Sequence, residues 1–169
     1  MSFQNQFTKT TTDANLMETV HHGSAEYPFR YYYENIALFD FKCIDWHWHS
    51  ELEFIYIESG NVVFDIGTVH FELNEGNGIM INSKILHRLQ SSSDAIIPNF
   101  LFQPSFIAPQ DSLIYKKYIN PVISSSLEYL VFQPDIPWQK KVLEIIKTII
   151  AVQETEFNRE IIVSMSVQQ

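Results

Sequence analysis

Three histidines and one glutamate are spaced for chemistry. His47 and His49 stand two apart in Asp45-Trp46-His47-Trp48-His49-Ser50-Glu51-Leu52-Glu53. Side chains alternate along an extended strand, so both imidazoles project to one face. A bend at Ser50-Glu51 lets the next strand set Glu53 beside them. On that strand Glu53, Ile55 and Ile57 share one face, and Leu52, Phe54 and Tyr56 the other. A third histidine, His87, closes the run Gly76-Asn77-Gly78-Ile79-Met80-Ile81-Asn82-Ser83-Lys84-Ile85-Leu86-His87. Three imidazoles and a carboxylate that converge suit a mononuclear Fe, Ni, Zn or Mn site with open positions for a substrate. The same groups suit a second role, as polar anchors that orient a small molecule by hydrogen bonds while Ile55, Ile57 and aromatic neighbours enclose it. In a purely structural role they would only satisfy one another at a barrel mouth.

Other candidates carry less. His21-His22 lies in a polar stretch and reads as solvated, and His70 alternates with apolar neighbours as a partly exposed strand residue. Trp46 and Trp48 fall on the face opposite the histidines and are expected to pack. Lys116-Lys117 and Lys140-Lys141 read as solvated helix faces, with Lys140 four residues before Glu144. No Ser-His-Asp arrangement, phosphate-binding glycine loop or pair of catalytic acids stands out.

The elements that must position the four groups are short. From residue 31 to 103, runs rich in Val, Ile, Phe and Tyr are broken by Gly, Asn, Asp and Ser, which predicts strands at 31–39, 43–48, 52–58, 62–66, 68–73, 78–81, 86–90 and 98–102. Gly60 and Gly67 supply the positive φ of tight connections. About eight strands at this spacing point to an antiparallel barrel or jelly roll. Residues 1–26 are polar and aperiodic and read as an N-terminal arm, disordered or loosely docked.

After Pro104 the texture becomes helical, giving a mainly β chain with C-terminal α: a barrel at 27–104 and a helical extension at 105–169. Residues 112–123 have helical flavour, 127–132 resembles one more strand, and Asp135-Ile136-Pro137 opens the clearest helix, 138–153. Val142, Ile145, Ile149 and Val152 form one apolar seam on it, and Leu143, Ile146 and Ile150 a second. Two stripes need two surfaces. One reading buries both on the barrel; the other gives the Val142–Ile145–Ile149–Val152 seam to a partner subunit as a homodimer contact. Phe157, Ile161 and Met165 mark another amphipathic helix over 158–167, which ends at Gln168-Gln169 without a glycine cap, as if the native chain continued.

The 169 residues are 46% hydrophobic and 14% aromatic, enough for a packed core, so global disorder is excluded. A net charge of −9 argues against direct nucleic-acid binding by these residues. Cys43, the single cysteine, excludes an intrachain disulfide and a Cys-rich zinc site and suits a reducing cytoplasm. The N-terminus lacks a signal-peptide pattern, and no apolar run reaches the ~20 residues of a membrane-spanning helix.

The spacing His-x-His, three residues, Glu, six residues, Gly, carried by His47, His49, Glu53 and Gly60, resembles the first motif of the cupin superfamily. His87 stands at the histidine position of the second motif. The resemblance covers residues 31–103, with two departures. Phe41 stands where the first motif opens with glycine, and Asn82-Ser83-Lys84 replaces the Pro-x-Gly of the second. With those departures the run is similar to the N-terminal sensor domain of AraC/XylS-type bacterial transcription regulators. That resemblance implies a double-stranded β-helix (jelly-roll barrel) that binds a small-molecule effector through His47, His49, Glu53, Ile55 and His87. It also implies two following helices that form a homodimer, and DNA contact only through a C-terminal helix-turn-helix domain not present in these residues. Such a sensor is not an enzyme and requires no cofactor. The alternative is a metal-dependent cupin enzyme, a dioxygenase or isomerase, with a divalent metal on His47, His49, Glu53 and His87.

Overall fold

The computed structural model describes residues 7–154 and 158–169. Among these, nine strands form two antiparallel sheets: β1 Phe29–Asn35, β2 Cys43–His47, β3 Leu52–Tyr56, β4 Asn61–Ile66, β5 Val69–Asn74, β6 Gly78–Ile81, β7 His87–Gln90, β8 Ile96–Phe102 and β9 Tyr129–Phe132. One sheet runs β1-β8-β3-β6-β9 and the other β2-β7-β4-β5. The chain changes sheet at every step from β1 to β4 and again from β5 to β8. That is the winding of a jelly roll, the fold class expected.

Strand alternation decides what lies inside. Ile55, Val62, Phe64, Ile79, Leu89 and Ile97 point between the sheets and form the inner core. Their neighbours on the other face of the five-stranded sheet, Phe54, Met80, Phe100 and Phe102, are also buried or half-buried, in a second core. A sheet that is apolar on both faces needs a cover. The cover is helical. Pro137, at a first-turn position where its missing N–H costs little, starts α2 (Pro137–Val152), and α3 (Arg159–Val167) packs beside it; α1 (Asn120–Ile123) ends a helical segment that includes a π-turn at Tyr115–Ile119.

Both apolar stripes of α2 face this second core. Leu143, Ile146 and Ile149 are each 2% exposed, and Val142, Ile145 and Val152 are half-buried against the same cluster. The chain's own sheet and α3 therefore already cover much of the seam expected to meet a partner. Ile161 and Met165 on α3 stay more than half exposed; Phe157, expected on the same stripe, lies outside the described residues. Strand β9, within the 105–169 extension, completes the five-stranded sheet beside β6. Among the described residues no helix is long and apolar enough to cross a membrane.

The arm is docked. Asp13 folds it back with bonds from Asn15 N and Met17 N, Thr12 pairs with Glu18, and Met17 bridges Trp48. Trp48, on the face away from the inner core as expected, donates its indole N–H to Asn15 O at 2.9 Å. Both departures from the cupin motifs fall at left-handed backbone. Phe41 has φ 58° and Lys84 φ 64°, each at the position where the motif carries glycine.

Because Ile149 is enclosed within the chain, Ile149→Glu is expected to destabilise the monomer itself. The lost packing costs about 2–5 kcal/mol, with a further penalty for burying a charge. Chemical denaturation checks this, and an unchanged midpoint would contradict the packing.

Candidate functional site

The two sheets bring His47, His49, Glu53 and His87 together at one end of the barrel interior. His47 ends β2 and pairs directly with His87 at the start of β7. Simple alternation would put Ile44 and His47 on opposite faces. A bulge between them inserts one extra residue, so that both point inward. The bend at Ser50-Glu51 is pinned by Gln103, whose amide donates to Ser50 Oγ and Glu51 Oε1 at 2.8 and 2.7 Å. The Asn82-Ser83-Lys84 turn locks onto the same bend through Ser83 Oγ to Ser50 O and Lys84 N to His49 O, both 2.7 Å. Asn82, 1% exposed, also donates to Val122 O and Leu127 O, so this turn ties the helical extension to the site.

The rings are oriented by backbone oxygens. Nδ1 of His47 lies 2.7 Å from Asp45 O, Nδ1 of His87 2.8 Å from Ile85 O, and Nδ1 of His49 a longer 3.3 Å from Glu51 O. A carbonyl oxygen only accepts, so each Nδ1 is the donor; a neutral ring then keeps a bare Nε2, whereas a ring whose Nε2 also donates to a carboxylate oxygen carries a positive charge. Glu53 Oε2 lies 3.3 Å from Nε2 of His49 and 3.1 Å from Nε2 of His87. The second contact lacks the angle of a hydrogen bond, which leaves His87 Nε2 buried without a partner.

Electrostatics follow from that crowding. Burial, and then the His87 ring, push His47 down to about 3, so it is neutral over the ordinary pH range. Burial opposes ionisation of Glu53, but the imidazoles of His49 and His87 outweigh it and hold the carboxyl well below the usual carboxylate range.

Three of the donors form a group that could hold a metal ion. Candidate ligand atoms of His47, His49 and His87 all lie within 4.8 Å of one another. Metal–nitrogen bonds of about 2.0–2.1 Å place neighbouring ligand atoms roughly 3.0–3.4 Å apart. The Nε2–Oε2 separations around Glu53 fall in that range. His87 Nε2, buried and unpartnered, is the atom a cation would satisfy.

Behind the cluster is a small cavity of about 40 Å³. Glu34, Asn99 and Tyr32 face it from the five-stranded sheet, and Phe7, Glu18 and His22 from the arm. The reading of His22 as solvated is corrected. It is 8% exposed, with Nδ1 2.8 Å from Tyr32 Oη, Nε2 2.9 Å from Glu18 Oε2, and its ring centroid 5.7 Å from that of His49. Burial works against its charged form, but Glu18 prevails and raises its pKa. His21 is exposed, and His70 bonds Asp65 on the outer face of the four-stranded sheet.

Glu34, Asn99 and Tyr32 were missed in the sequence. The signal was present for Asn99, which falls between Ile97 and Leu101 on the inward face of β8. Asn99 donates to Glu34 Oε2 at 2.9 Å. Burial raises the Glu34 carboxyl to about 8.

Residues 38–110 match the family model of the AraC-like ligand binding domain. Those residues are similar to an AraC-like ligand-binding domain. Over 140 residues it is 32% identical to an uncharacterized HTH-type transcriptional regulator, YdeC, of Bacillus subtilis (strain 168), a match that takes in 81% of this chain. The chain spans about half, 47%, of that regulator's length. Among solved structures, a cupin-2 domain containing protein from Shewanella frigidimarina NCIMB 400 is similar at TM-score 0.38 and 14% identity, over 43% of this chain and 69% of that one. Oxalate decarboxylase of Bacillus subtilis, described with Mn(II) centers, is similar at TM-score 0.34 and 21% identity, over 36% of this chain and 18% of that one. Within the matched segment lie His47, His49, Glu53, Ile55, His87 and Asn99; Glu34 and the arm precede it.

Glu34 gives this chain a pH signature. The folded chain keeps the Glu34 proton up to about pH 8, whereas an unfolded carboxyl loses it near 4.5. Between those values the folded state binds the extra proton, so stability falls as pH rises, by at most about 1.4 kcal/mol per pH unit, and then levels off. Glu34→Gln is expected to remove this slope, so its stability advantage over the parent widens from pH 5 to pH 8. Thermal melts across that range check it; parallel curves would contradict the burial.

Proposed function

We propose that this chain is the effector-sensing module of a helix-turn-helix transcription regulator, and not an enzyme. The observation that carries the reading is a set of inward polar side chains around an interior cavity that the N-terminal arm closes. His47, Glu53, Glu34 and Asn99 are each under 10% exposed and face the space that Phe7, Glu18 and His22 cover. Their role is recognition, with Ile55 part of the inner wall. At about 40 Å³ the cavity, narrowed by the arm, holds little more than a water or an ion, far below the roughly 300 Å³ of small-molecule pockets. An effector must therefore move the arm in order to enter, and its differential affinity for the open arrangement is what shifts the equilibrium. The arm at 1–26, the barrel at 27–104 and the extension at 105–169 serve as latch, receptor and output. The exposed Ile161 and Met165 of α3, with the rim of the Val142–Ile145–Ile149–Val152 seam, form the homodimer surface, and DNA is contacted by a following domain of the intact cytoplasmic protein.

A thermal-shift screen against a metabolite panel tests this. A compound present at 100 times its Kd stabilises by about 2.7 kcal/mol, and Asn99→Leu should abolish the shift. A panel that stabilises neither the parent nor Phe7→Ala, in which the latch is weakened, would contradict sensing.

One observation favours a second property of the same site: His87 Nε2 is buried and unpartnered beside Glu53. His47, His49, His87 and Glu53 would hold a divalent cation, which supplies a Lewis-acidic charge when bound. The chain's own contribution is to fix the three rings through their Nδ1 bonds. Equilibrium dialysis against Mn²⁺ or Zn²⁺ is expected to show about one ion per chain, lost in His87→Ala. No uptake by the parent would remove the metal reading and leave sensing untouched.

A further inference from the structure

Three carboxyls face the cavity among apolar walls. Its carboxyls are Glu18, Glu34 and Glu53, and the sole lysine or arginine at its lining, among the described residues, is the exposed Lys9. Two of these carboxyls have basic partners inside the protein. Glu53 meets His49 and His87, and Glu18 meets His22. Glu34 has none. It is 6% exposed, accepts from the neutral Asn99 amide and from the backbone N–H of Phe7, and forms no ion pair among the described residues. A buried carboxyl aimed into a cavity without a cation to face it keeps its proton. An entering cation supplies the charge that lets it ionise, with release of that proton to solvent, so the group is suited to recognise one.

The occupant of the cavity mouth shows what else fits. Phe7 presents two features there: an N–H to Glu34 and a phenyl ring 5.5 Å from the Tyr32 ring, tilted by 56°. The walls next to it are apolar, supplied by Val20, Phe39, Ile44 and Leu101. The hydrogen bonds that hold the Phe7–Thr10 part of the arm include Asp40 N to Thr8 O and Asp45 N to Thr10 Oγ1, both 2.8 Å. The segment thus acts as an internal ligand with an N–H donor next to an aromatic ring.

We propose that the effector is a small aromatic amine, whose ammonium group pairs with Glu34 and whose ring takes the place of Phe7 against Tyr32. The proposal rests on the barrel interior being the sensing site, and it names the class of molecule that site accepts. Carboxylate effectors are disfavoured, because an anion would face the Glu34 carboxyl, which only a cation helps to ionise, and no buried lysine or arginine lies at the lining to pair with it. Binding and arm closure are competitive, since one ring occupies the Tyr32 face at a time.

The test uses three isosteric probes: 2-phenylethylamine, 2-phenylethanol and phenylacetate, titrated calorimetrically into the parent, Phe7→Ala and Glu34→Gln. The amine is expected to bind at least tenfold more tightly than the alcohol, with phenylacetate weakest. Phe7→Ala should tighten both amine and alcohol by removing the competitor, and Glu34→Gln should weaken the amine at least tenfold while leaving the alcohol unchanged. Equal binding of amine and alcohol, preference for phenylacetate, amine binding indifferent to Glu34→Gln, or no amine binding to either the parent or Phe7→Ala would each overturn the proposal. A hit from a different chemical class that Asn99→Leu abolishes would then show the barrel sensing something other than an amine. The absence of any such hit would remove the sensing reading as well.

Discussion

A buried carboxylate in contact with imidazoles organises this molecule. Glu53 lies between the sheets, where an unpaired charge would cost several kcal/mol, and it is tolerable because His49 and His87 converge on one of its oxygens. Meeting that condition fixes much else. The strand carrying His87 must pair with the strand carrying His47, the bulge must turn His47 inward, and the Ser50-Glu51 bend must be held so that His49 reaches the same point. The jelly roll supplies these relations because its sheets are assembled from strands remote in sequence.

Closure of the barrel end follows from the same polarity. The polar groups at the cavity need hydrogen-bond partners, and the arm provides them through Glu18 and His22 while Trp48 and Thr10 fasten it outside. The second core, between the five-stranded sheet and α2, anchors the other end of the molecule, and Asn82 connects the two by binding the loop that leads to β9. The turn beside the histidine cluster is thus hydrogen-bonded directly to the helical extension.

The parts of this arrangement written in local patterns were legible in the sequence. Period-two alternation gave Glu53, Ile55 and Ile57 a common inward face, and the two stripes of 138–153 announced a helix with much to bury. Composition alone misled in the arm. Its polar residues suggested solvent, yet His22 and Glu18 are polar because they complete a polar interior. The seam on α2 was ambiguous for a different reason: periodicity tells which residues share a face, not whether that face meets the same chain or another. Glu34 and Asn99 escaped notice because their partnership spans 65 residues and depends on the pairing of β1 with β8.

The central claim is that the imidazole of His47 is neutral, carries its hydrogen on Nδ1 and presents a bare Nε2 to the interior space that it shares with His49 and His87. Nitrogen-15 NMR of the histidine side chains, before and after addition of Zn²⁺, reads this directly. A neutral Nδ1–H tautomer is expected for His47, with an Nε2 resonance that moves when the ion is added. A protonated Nε2, indifferent to the ion, would contradict it.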